Sequence, residues 1–597
     1  SENRKKRTSR RGVLFFPGTG SVDNFLVFWF VSVPLIFCRL LNDVFLLPKQ
    51  VLLSGGAVIL FVCLLQRLRG RNYNLLLEPF FWPLTAIVLT RIFSLTAAVN
   101  KHATLYSIAE AFSFLILVLS LTEFLQDEKN QTKVLLALAS VSLLVCLYGL
   151  FQLAGLDFFT WEVPAGSGRS TLSTLGRRNF TAEYLVAVVP LIFFLWTRSD
   201  CRKEKILAGI SFSSGVVTLF LSFTRASYLG FFASFLVAAA FLFRGKVAFQ
   251  KTFILLAVVV FFRSGLAAGQ PMGFDPTSVK SRLLIWKAAL AMVKEKPLTG
   301  VGANNFEFVY LPYAKKAKGL LPVAERVANA HNDYLEVAAE QGVLGLAALF
   351  WLIFVLINTG LEVRKKGNRQ QQFFTVAALS SCAGILINSL AAFPFKNPSV
   401  LQILAFNLAI LTVFHHQVRK KSGYPAALRP ATVRIISALS LTAFFLCAAG
   451  SLASSYFLKK ATRLMRLAGE KQDQLSWALA ENSGRKAVLF NPYSLEAHFY
   501  LGRIYLSGNY PELAREELSA ALQLAPCSDT VANNLAIACH RLNQLKEAEK
   551  YYRYSLQLNP NRPETYNNLG FLYLEEGKKE TALFYLKKAR QMEKIYP

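Results

Sequence analysis

The chain has 597 residues and a formal net charge of +30, yet 53% of its residues are hydrophobic and only 17% are charged. Soluble globular proteins have roughly 45–50% apolar and about 25% charged residues, so the composition indicates a membrane protein. A nucleic-acid-binding protein would have no place for the long apolar runs, and eight cysteines in this length do not make a disulfide framework. We therefore expect a membrane protein with no nucleic-acid partner.

Thirteen apolar stretches are candidates for membrane spans, each of which needs about 20 residues. Basic loops stay in the cytoplasm, and the N-terminal run from Arg4 to Arg11 and most of the alternate loops are basic. We therefore expect a cytoplasmic N-terminus and a C-terminus on the opposite side. The thirteen stretches are 23–41, 51–66, 77–97, 104–122, 134–154, 180–196, 206–222, 227–243, 252–265, 342–361, 373–393, 399–415 and 435–457.

The positive charge is distributed unevenly along the chain. Residues 458–597 carry +5, which is close to ordinary, and residues 1–457 carry +25. Cytoplasmic loops account for most of the second value, but several arginines fall on the outer side, where topology does not require them. An anionic ligand on that face would explain them. These arginines include Arg169, Arg177, Arg178, Arg225, Arg282 and Arg326.

The longest interruption of the apolar pattern is residues 266–341, which the topology places outside the membrane. Apolar residues recur at helical spacing over 281–295, Pro297 ends that helix, and a second helix begins near Ala330 and is closed by Gly342. An ordered connection of this length is usually functional. The helix over 281–295 either lies on the membrane surface or seals one side of a cavity.

After residue 457 the sequence repeats with a period of 34 residues. The period is visible in two sets of positions, the prolines Pro492, Pro526 and Pro560 and the alanines Ala514, Ala548 and Ala582. The pattern resembles the tetratricopeptide repeat (TPR), a helix–turn–helix unit that stacks into an α-solenoid. We expect about three repeats after a degenerate first unit, serving either as a binding surface for a protein partner or as a rigid spacer.

Four motifs resemble those of the superfamily of O-antigen ligases, O-antigen polymerases and bacterial protein O-oligosaccharyltransferases. In chain order they are Thr174 to Ala182 before the sixth span, Arg225-x3-Leu229, Ser281-Arg282 to Trp286 with Pro297 to Gly302, and His331-x10-Gly342. The resemblance covers roughly residues 20–420. The motifs do not separate the members of the superfamily.

The resemblance implies an enzyme that takes a glycan from a polyprenyl-diphosphate carrier and passes it to a hydroxyl of a lipid, glycan or protein acceptor. It implies a multi-pass protein of the bacterial cytoplasmic (inner) membrane that acts on the extracytoplasmic face without a cofactor. The outer loops contain no Asp-x-Asp pair or His/carboxylate cluster that suggests a metal site. We therefore expect metal-independent, inverting transfer.

Cleavage of a sugar–diphosphate bond leaves negative charge on a phosphate oxygen, which guanidinium groups stabilise as it develops. The planar guanidinium pairs bidentately with phosphate. We expect Arg225 and Arg282 to bind the diphosphate, with Arg169 and Arg178 as further candidates. The alternatives are a span-end arginine that reaches toward the membrane interface for Arg225 and a surface salt bridge for Arg282.

His331 is the candidate general base for the acceptor hydroxyl. We expect it in the first turn of a helix, where the macrodipole favours the neutral imidazole that can accept a proton. The negative charges of Asp333 and Glu336 would instead favour the protonated imidazole. The alternative for His331 is a helix-capping or surface residue.

The sequence thus predicts an all-α protein with two domains. Residues 1–457 would form a polytopic helical membrane domain with the extracytoplasmic loop 266–341, and residues 458–597 an extracytoplasmic TPR domain. A glycan ligase is the first hypothesis for its function, and a polysaccharide polymerase and a protein O-oligosaccharyltransferase are the alternatives. A lipid-linked glycan transporter is a different class, and the inverted repeats typical of many transporters are not seen.

Overall fold

The computed structural model describes residues 19–67, 78–159, 172–242, 276–317, 327–419, 430–471 and 473–595. The expected span 252–265 and the candidate residue Arg169 lie outside these residues. Within them the protein has 21 α-helices and no β-strand, which confirms the predicted all-α class.

Fourteen helices precede the repeats. They are α1 (Thr19–Leu35), α2 (Leu46–Arg67), α3 (Phe81–Ser94), α4 (Lys101–Phe124), α5 (Glu128–Ala154), α6 (Arg178–Arg198), α7 (Arg202–Leu221), α8 (Arg225–Leu242), α9 (Pro276–Glu295), α10 (Phe306–Lys316), α11 (Asp333–Lys366), α12 (Arg369–Asn388), α13 (Pro398–Arg419) and α14 (Pro430–Lys471).

Eight of these helices (α2, α4, α5, α6, α7, α11, α13 and α14) are long and apolar enough to cross a membrane, and shorter apolar helices occur at α1, α3 and α8. The expected span 373–393 corresponds to α12, which is not among the eight. The protein is therefore a multi-pass membrane protein, as the sequence predicts. The number of thirteen spans stays a prediction.

Short polar side chains begin several of the long helices. Asn100 accepts the N–H of Ala103 at the start of α4, and Asp127 accepts that of Lys129 at the start of α5. These side chains satisfy N–H groups that have no partner within the helix. The apolar runs therefore become separate helices with defined starting points.

Helices α6 and α13 lie at the centre of the bundle, because 83% of the apolar window of α6 and 94% of that of α13 is buried inside the protein. The two helices are joined to their neighbours by hydrogen bonds as well as by apolar packing. Tyr184 on α6 lies 3.0 Å from the Ser142 hydroxyl of α5, and Asn407 on α13 donates to Ser381 of α12 over 2.8 Å. Such bonds hold helices together where lipid is as apolar as the bundle interior.

Helix α11 is broken at Gly342, whose φ of 68° lies in the left-handed region. The loop 297–302 packs against α11 at this break, and three backbone hydrogen bonds join the two segments. The N–H of Val343 donates to the carbonyl oxygen of Pro297 over 2.7 Å. Two N–H groups of the loop donate to carbonyl oxygens of α11 just before Gly342, over 2.9 Å each. We call this backbone contact the glycine junction.

The glycine junction explains two glycines of the sequence motifs. A β-carbon on Gly342 would overlap the carbonyl oxygen of Leu298, and one on Gly300 would overlap the backbone of Glu340. Gly300 also has a positive φ, of 63°. Side chains at either position would separate the two chain segments, so Gly300 and Gly342 permit the contact between the loop and α11.

The loop is fastened further by side chains beyond the junction. The Glu340 carboxylate accepts the N–H of Asn304 over 2.8 Å and that of Phe306, the first residue of α10, over 3.1 Å. The fully buried Asn305 donates from its side-chain amide to Thr104 on α4 over 2.8 Å. Loop, α11 and α4 are thereby fixed against one another.

The remaining helices form the repeat array. They are α15 (Gln474–Phe490), α16 (Leu495–Ser507), α17 (Pro511–Leu524), α18 (Asp529–Arg541), α19 (Leu545–Leu558), α20 (Pro563–Glu575) and α21 (Lys579–Ile595). Helices α16, α18 and α20 start 34 residues apart, as do α17, α19 and α21, in agreement with the predicted period. Ala514, Ala548 and Ala582 are fully buried, which allows the paired helices to approach closely.

Helix α14 connects the membrane region to the array without interruption. It is a single helix of 42 residues that runs through the expected domain boundary at residue 457 and supplies the first helix of the degenerate unit. Its Ala461 packs with Ala480 of α15, and both side chains are fully buried.

The array also contacts the membrane region away from α14. Lys315 on α10 donates to the carbonyl oxygen of Gln557 on α19 over 2.9 Å. The His102 ring at the start of α4 stacks on Tyr493, with ring centroids 3.4 Å apart. The array is therefore held against the same loop that carries the family-like motifs.

The glycine junction leads to a stability prediction. Replacement Gly342→Ala should lower the free energy of unfolding by roughly 3 kcal/mol, because the methyl group meets a carbonyl oxygen and the backbone is left-handed. Gly469→Ala is the matched control, since nothing lies within 4 Å of an added β-carbon there. It should be neutral or stabilise α14 by up to about 1 kcal/mol.

The measurement is the thermal unfolding midpoint of the two detergent-purified variants against the unmodified protein. Equal midpoints for Gly342→Ala and Gly469→Ala would contradict the account of the junction.

Candidate functional site

His331 lies immediately before α11, and the sequence prediction that it is in the first turn of that helix is wrong. Asn332 is the N-cap, and its side chain accepts the N–H of Leu335 over 3.0 Å. The φ of His331 is 52°, in the left-handed region. Non-glycine residues in this region cost of order 1–3 kcal/mol and cluster at functional sites. The surrounding contacts must therefore hold the backbone of His331 in place.

Aromatic side chains supply part of that support. The half-buried imidazole of His331 meets the Phe393 ring edge-on, with centroids 5.2 Å apart. Phe393 in turn packs on Phe180 of α6, at 5.7 Å. The indole N–H of Trp286 on α9 donates to the carbonyl oxygen of Ala330 over 2.9 Å and fixes the residue before His331.

The charged neighbours of His331 favour its neutral form. Burial lowers the pKa of the imidazole below its usual value, and the positive charges of Arg282 and Arg177 lower it further, while Glu336 opposes them. A neutral imidazole at physiological pH can accept a proton. The predicted neutral state thus has burial and two guanidinium groups as its main causes.

Arg282 lies close to His331 on one side and to Arg225 on the other, because its charge acts on the imidazole and the charge of Arg225 acts on it in turn. Arg282 projects from α9, is half-buried, and donates to the carbonyl oxygen of Ala391 over 3.0 Å. Burial and the nearby charge of Arg225 both lower the pKa of its guanidinium group. Arg225 is the exposed first residue of α8. The structure therefore brings together three of the residues that the sequence singled out.

Arg177 is a fourth member of this cluster, and the sequence analysis did not select it as a site residue. It is exposed directly before α6, and its guanidinium lies over the Phe180 ring at 5.6 Å from the centroid. Arg178, which was selected, is the exposed first residue of α6 and is not among the charges that act on His331 or Arg282. A sequence pattern cannot distinguish two adjacent arginines at a helix start.

Residues 391–397, between α12 and α13, form a turn that the sequence analysis missed, although it contacts His331, Arg282 and α6. It includes Phe393, which meets His331, and Asn397, which donates to the carbonyl oxygen of Phe180 over 3.1 Å. The signal in the sequence was Phe-Pro-Phe-Lys-Asn-Pro, in which an amine and an amide lie between two prolines.

Lys396 joins three segments of the site. Its ammonium group lies 3.1 Å from the Glu336 carboxylate of α11 and donates to the Asn304 side chain over 3.2 Å. Burial alone would lower the pKa of Lys396, but the carboxylates of Glu336, Glu340 and Glu110 raise it well above its usual value. Lys396 therefore stays charged within the protein.

The other oxygen of Glu336 accepts the N–H of Ala330, the residue before His331, over 2.7 Å. Glu336 is thus paired with Lys396 on one side and bonded to the backbone beside the imidazole on the other. Among the described residues no group of three or more His, Cys, Asp or Glu side chains is arranged to hold a metal ion. Metal independence itself stays a prediction.

Residues 210–350 match the O-antigen ligase family. The matched region contains Arg225, Arg282, His331 and Gly342, so the predicted resemblance is confirmed over the part of the chain that carries most of the site. Residues 530–562 and 551–584 match models of the tetratricopeptide repeat. The chain therefore combines a ligase- or polymerase-like membrane domain with C-terminal TPR units.

A relative from Haemophilus influenzae, itself described as uncharacterised, is 22% identical over 347 residues, covering 53% of this chain and 81% of the relative. Solved structures of MamA also resemble the chain, including MamA of Desulfovibrio magneticus, at 19% identity and a TM-score of 0.21, over 27% of this chain and 94% of MamA. A MamA double mutant has 18% identity and a TM-score of 0.22, over 28% and 87% of the two chains. At such TM-scores the MamA structures support no argument.

The charge cluster leads to a prediction for the titration of His331. Replacement Arg282→Gln should raise the pKa of the imidazole toward its usual value of about 6.5, because a nearby positive charge that opposes protonation is removed. Lys287→Gln removes an exposed charge from the same helix and should leave the pKa unchanged.

The measurement is a histidine-selective NMR titration, in which the His331 signal is the one missing from His331→Gln. A pKa that stays the same or falls in Arg282→Gln would contradict the arrangement described here.

Proposed function

We propose that this protein is a glycosyltransferase of the O-antigen ligase type, which moves a glycan from a polyprenyl-diphosphate carrier to an acceptor hydroxyl. The observation that carries the proposal is a cluster in which the charges of Arg282 and Arg177 act on His331 and the charge of Arg225 acts on Arg282. These four side chains come from segments that are far apart in the sequence, and three of them lie in the region that matches the O-antigen ligase family.

The proposed step is a displacement at the anomeric carbon of the carrier-linked sugar. The acceptor oxygen forms a bond to that carbon while the bond from carbon to the phosphate oxygen breaks, and the polyprenyl diphosphate leaves with the electron pair. The acceptor proton passes to His331, whose lowered pKa leaves it able to take a proton near pH 7. Direct displacement inverts the configuration at the anomeric carbon.

The guanidinium groups have a separate task. Negative charge grows on the leaving diphosphate as the bond breaks, and fixed positive groups stabilise that charge most strongly in the transition state. Arg282 is held by Ala391, so it needs little reorganisation. Arg225 and Arg177 are exposed and accessible to a diphosphate. Arg178 and Arg169 remain candidates for further contacts with the carrier.

The site is proposed to face the extracytoplasmic side of a bacterial inner membrane, with the N-terminus in the cytoplasm. The proposed domains are a membrane domain over 1–457 that includes the loop 266–341, and an extracytoplasmic TPR domain over 458–597. Contact between α10 and α19 supports this arrangement, because it holds the repeats beside the loop. The repeats would then present or select an acceptor or a protein partner.

The test is transfer by the purified protein from a synthetic polyprenyl-diphosphate oligosaccharide to separate acceptors. A glycosylated lipid acceptor would support a ligase, longer carrier-linked chains a polymerase, and a modified peptide a protein transferase. Flipping of the carrier between leaflets without any transfer would support a transporter and contradict the proposal.

Variants should separate the proposed roles. We expect His331→Gln to lower the transfer rate by roughly 10²–10⁴-fold, as loss of a general base does. Arg225→Gln and Arg282→Gln should each lower it by roughly 10²–10³-fold. The exposed Lys287→Gln is the control and should keep the rate. Full activity of His331→Gln would show that the assigned base is wrong.

Two further measurements address the finer points. Comparison of Arg177→Gln with Arg178→Gln should show the larger loss for Arg177, which acts on His331. Activity should survive a chelator, and the product should have the inverted anomeric configuration by NMR. Loss of activity that a divalent cation restores would remove the metal-independent mechanism.

A further inference from the structure

Lys396, Glu336 and Ala330 form a continuous path from the turn 391–397 to His331. The ammonium group lies 3.1 Å from one oxygen of Glu336, whose other oxygen accepts the N–H of Ala330 over 2.7 Å. The Glu336 side chain is 4% exposed. A carboxylate this deeply buried is stable as an anion only when it is paired and hydrogen-bonded.

The charges that face this path come from every element packed around it. Arg282 of α9, Arg177 before α6 and Glu336 of α11 act on His331. Glu336 and Glu340 of α11 and Glu110 of α4 face Lys396, and Asp333 lies beside Glu336. Arg91 of α3 is near Glu110 and Glu340.

Glu336 is distinguished from the other two acids of α11 by its partners. Glu340 accepts the N–H groups at the start of α10, and Asp333 accepts the N–H of Phe395 over 3.3 Å. Only Glu336, among the three, is bonded to the residue before His331. Any change in its charge or position is therefore transmitted to the imidazole.

We propose that Lys396 and Glu336 act as a positioning pair that sets the orientation and the proton affinity of His331. This inference rests on the proposed function, in which His331 is the general base. Lys396 keeps the Glu336 carboxylate charged and in place, and the carboxylate holds the backbone that precedes His331. Neither residue is proposed to touch the substrate.

The pair is needed because the arginines have two effects. Arg282 and Arg177 favour a neutral imidazole, but each also makes the imidazole a weaker acceptor for the proton of the hydroxyl. A general base is most effective when its pKa is near the working pH. The negative charge of Glu336 offsets part of the effect of the arginines, so that His331 is neutral and still basic.

Loss of either partner should therefore lower the pKa of the His331 imidazole. In Glu336→Gln the negative charge beside His331 is absent, so the pKa of the imidazole falls. In Lys396→Met the buried carboxylate loses its paired cation and binds a proton, with the same result. Both variants should transfer at least about tenfold more slowly at pH 7, and the acid limb of the rate profile should move to lower pH.

The experiment is a single-turnover transfer assay with the carrier-linked oligosaccharide between about pH 4.5 and 8, on Glu336→Gln, Lys396→Met and the double variant. The double variant should be no slower than the slower single variant, because the two residues act as a unit. Lys396→Arg should restore most of the rate, and the exposed Lys287→Met is the matched control.

Several results would overturn the inference. An unchanged acid limb together with a lower unfolding midpoint would indicate a purely structural pair, and a limb that moves to higher pH would show that Glu336 stays charged without Lys396. Rate losses that multiply in the double variant would also contradict it. If Lys396→Met does not fold, the nearly isosteric Glu336→Gln carries the test, since its amide oxygen can still accept the N–H of Ala330.

The failure of this inference is distinguishable from that of the proposed function. If His331→Gln abolishes transfer while both pair variants keep the unmodified pH profile, only the inference is wrong. If His331→Gln keeps full activity, the general base is wrong. The NMR titration of His331 in Glu336→Gln then still shows whether the pair sets its proton affinity, because that measurement does not depend on turnover.

Discussion

The N–H of Val343 donates to the carbonyl oxygen of Pro297, and with two further bonds it joins the loop 297–302 to α11 where Gly342 breaks the helix. Without this junction the segment that carries His331 would be held mainly by side-chain contacts, such as those of Trp286 and Glu336 with Ala330. With the junction, α9, α10 and the first turns of α11 are one body, to which Arg282 also belongs. A backbone-to-backbone contact suits this purpose because its length hardly varies, whereas side-chain contacts can shift among rotamers. The positions of His331 and Arg282 relative to each other depend on this contact.

Regular features of the fold were predictable from the sequence, because they depend on neighbouring residues. The period of 34 residues determines where α16, α18 and α20 begin, since each repeat must present its small residues to the next. The order of Arg225, Arg282, His331 and Gly342 was readable because the motifs that contain them resemble those of the O-antigen ligase family. The continuous helix through residue 457 was not readable, because the change from lipid-facing to repeat-like pattern does not require a break in the backbone.

The turn 391–397 could not be found in this way, and neither could the preference for Arg177 over Arg178. Lys396 meets Asn304 and Glu336, which lie 92 and 60 residues away in the chain, and no periodicity links positions at such separations. The sequence analysis attributed a neutral His331 to the helix macrodipole, but His331 lies before the helix. Its pKa is lowered instead by burial and by the charges of Arg282 and Arg177. Pairing across distant segments depends on how helices pack, and the packing of a membrane bundle leaves only weak traces in the composition of each helix.

In the proposed function, the arginines of the site give part of the surplus positive charge a role. Like charges that lie close together repel one another, so a fold that places Arg225 near Arg282 is less stable without an anion than with one. Contacts that hold the guanidinium groups in place, such as the hydrogen bond from Arg282 to Ala391, offset this repulsion. Binding of a diphosphate would relieve the repulsion, and the growth of charge on the leaving phosphate would relieve it further. Burial and the charges of Arg282 and Arg177 favour the neutral form of His331, so in the proposed function one cluster would both bind the leaving group and prepare the base.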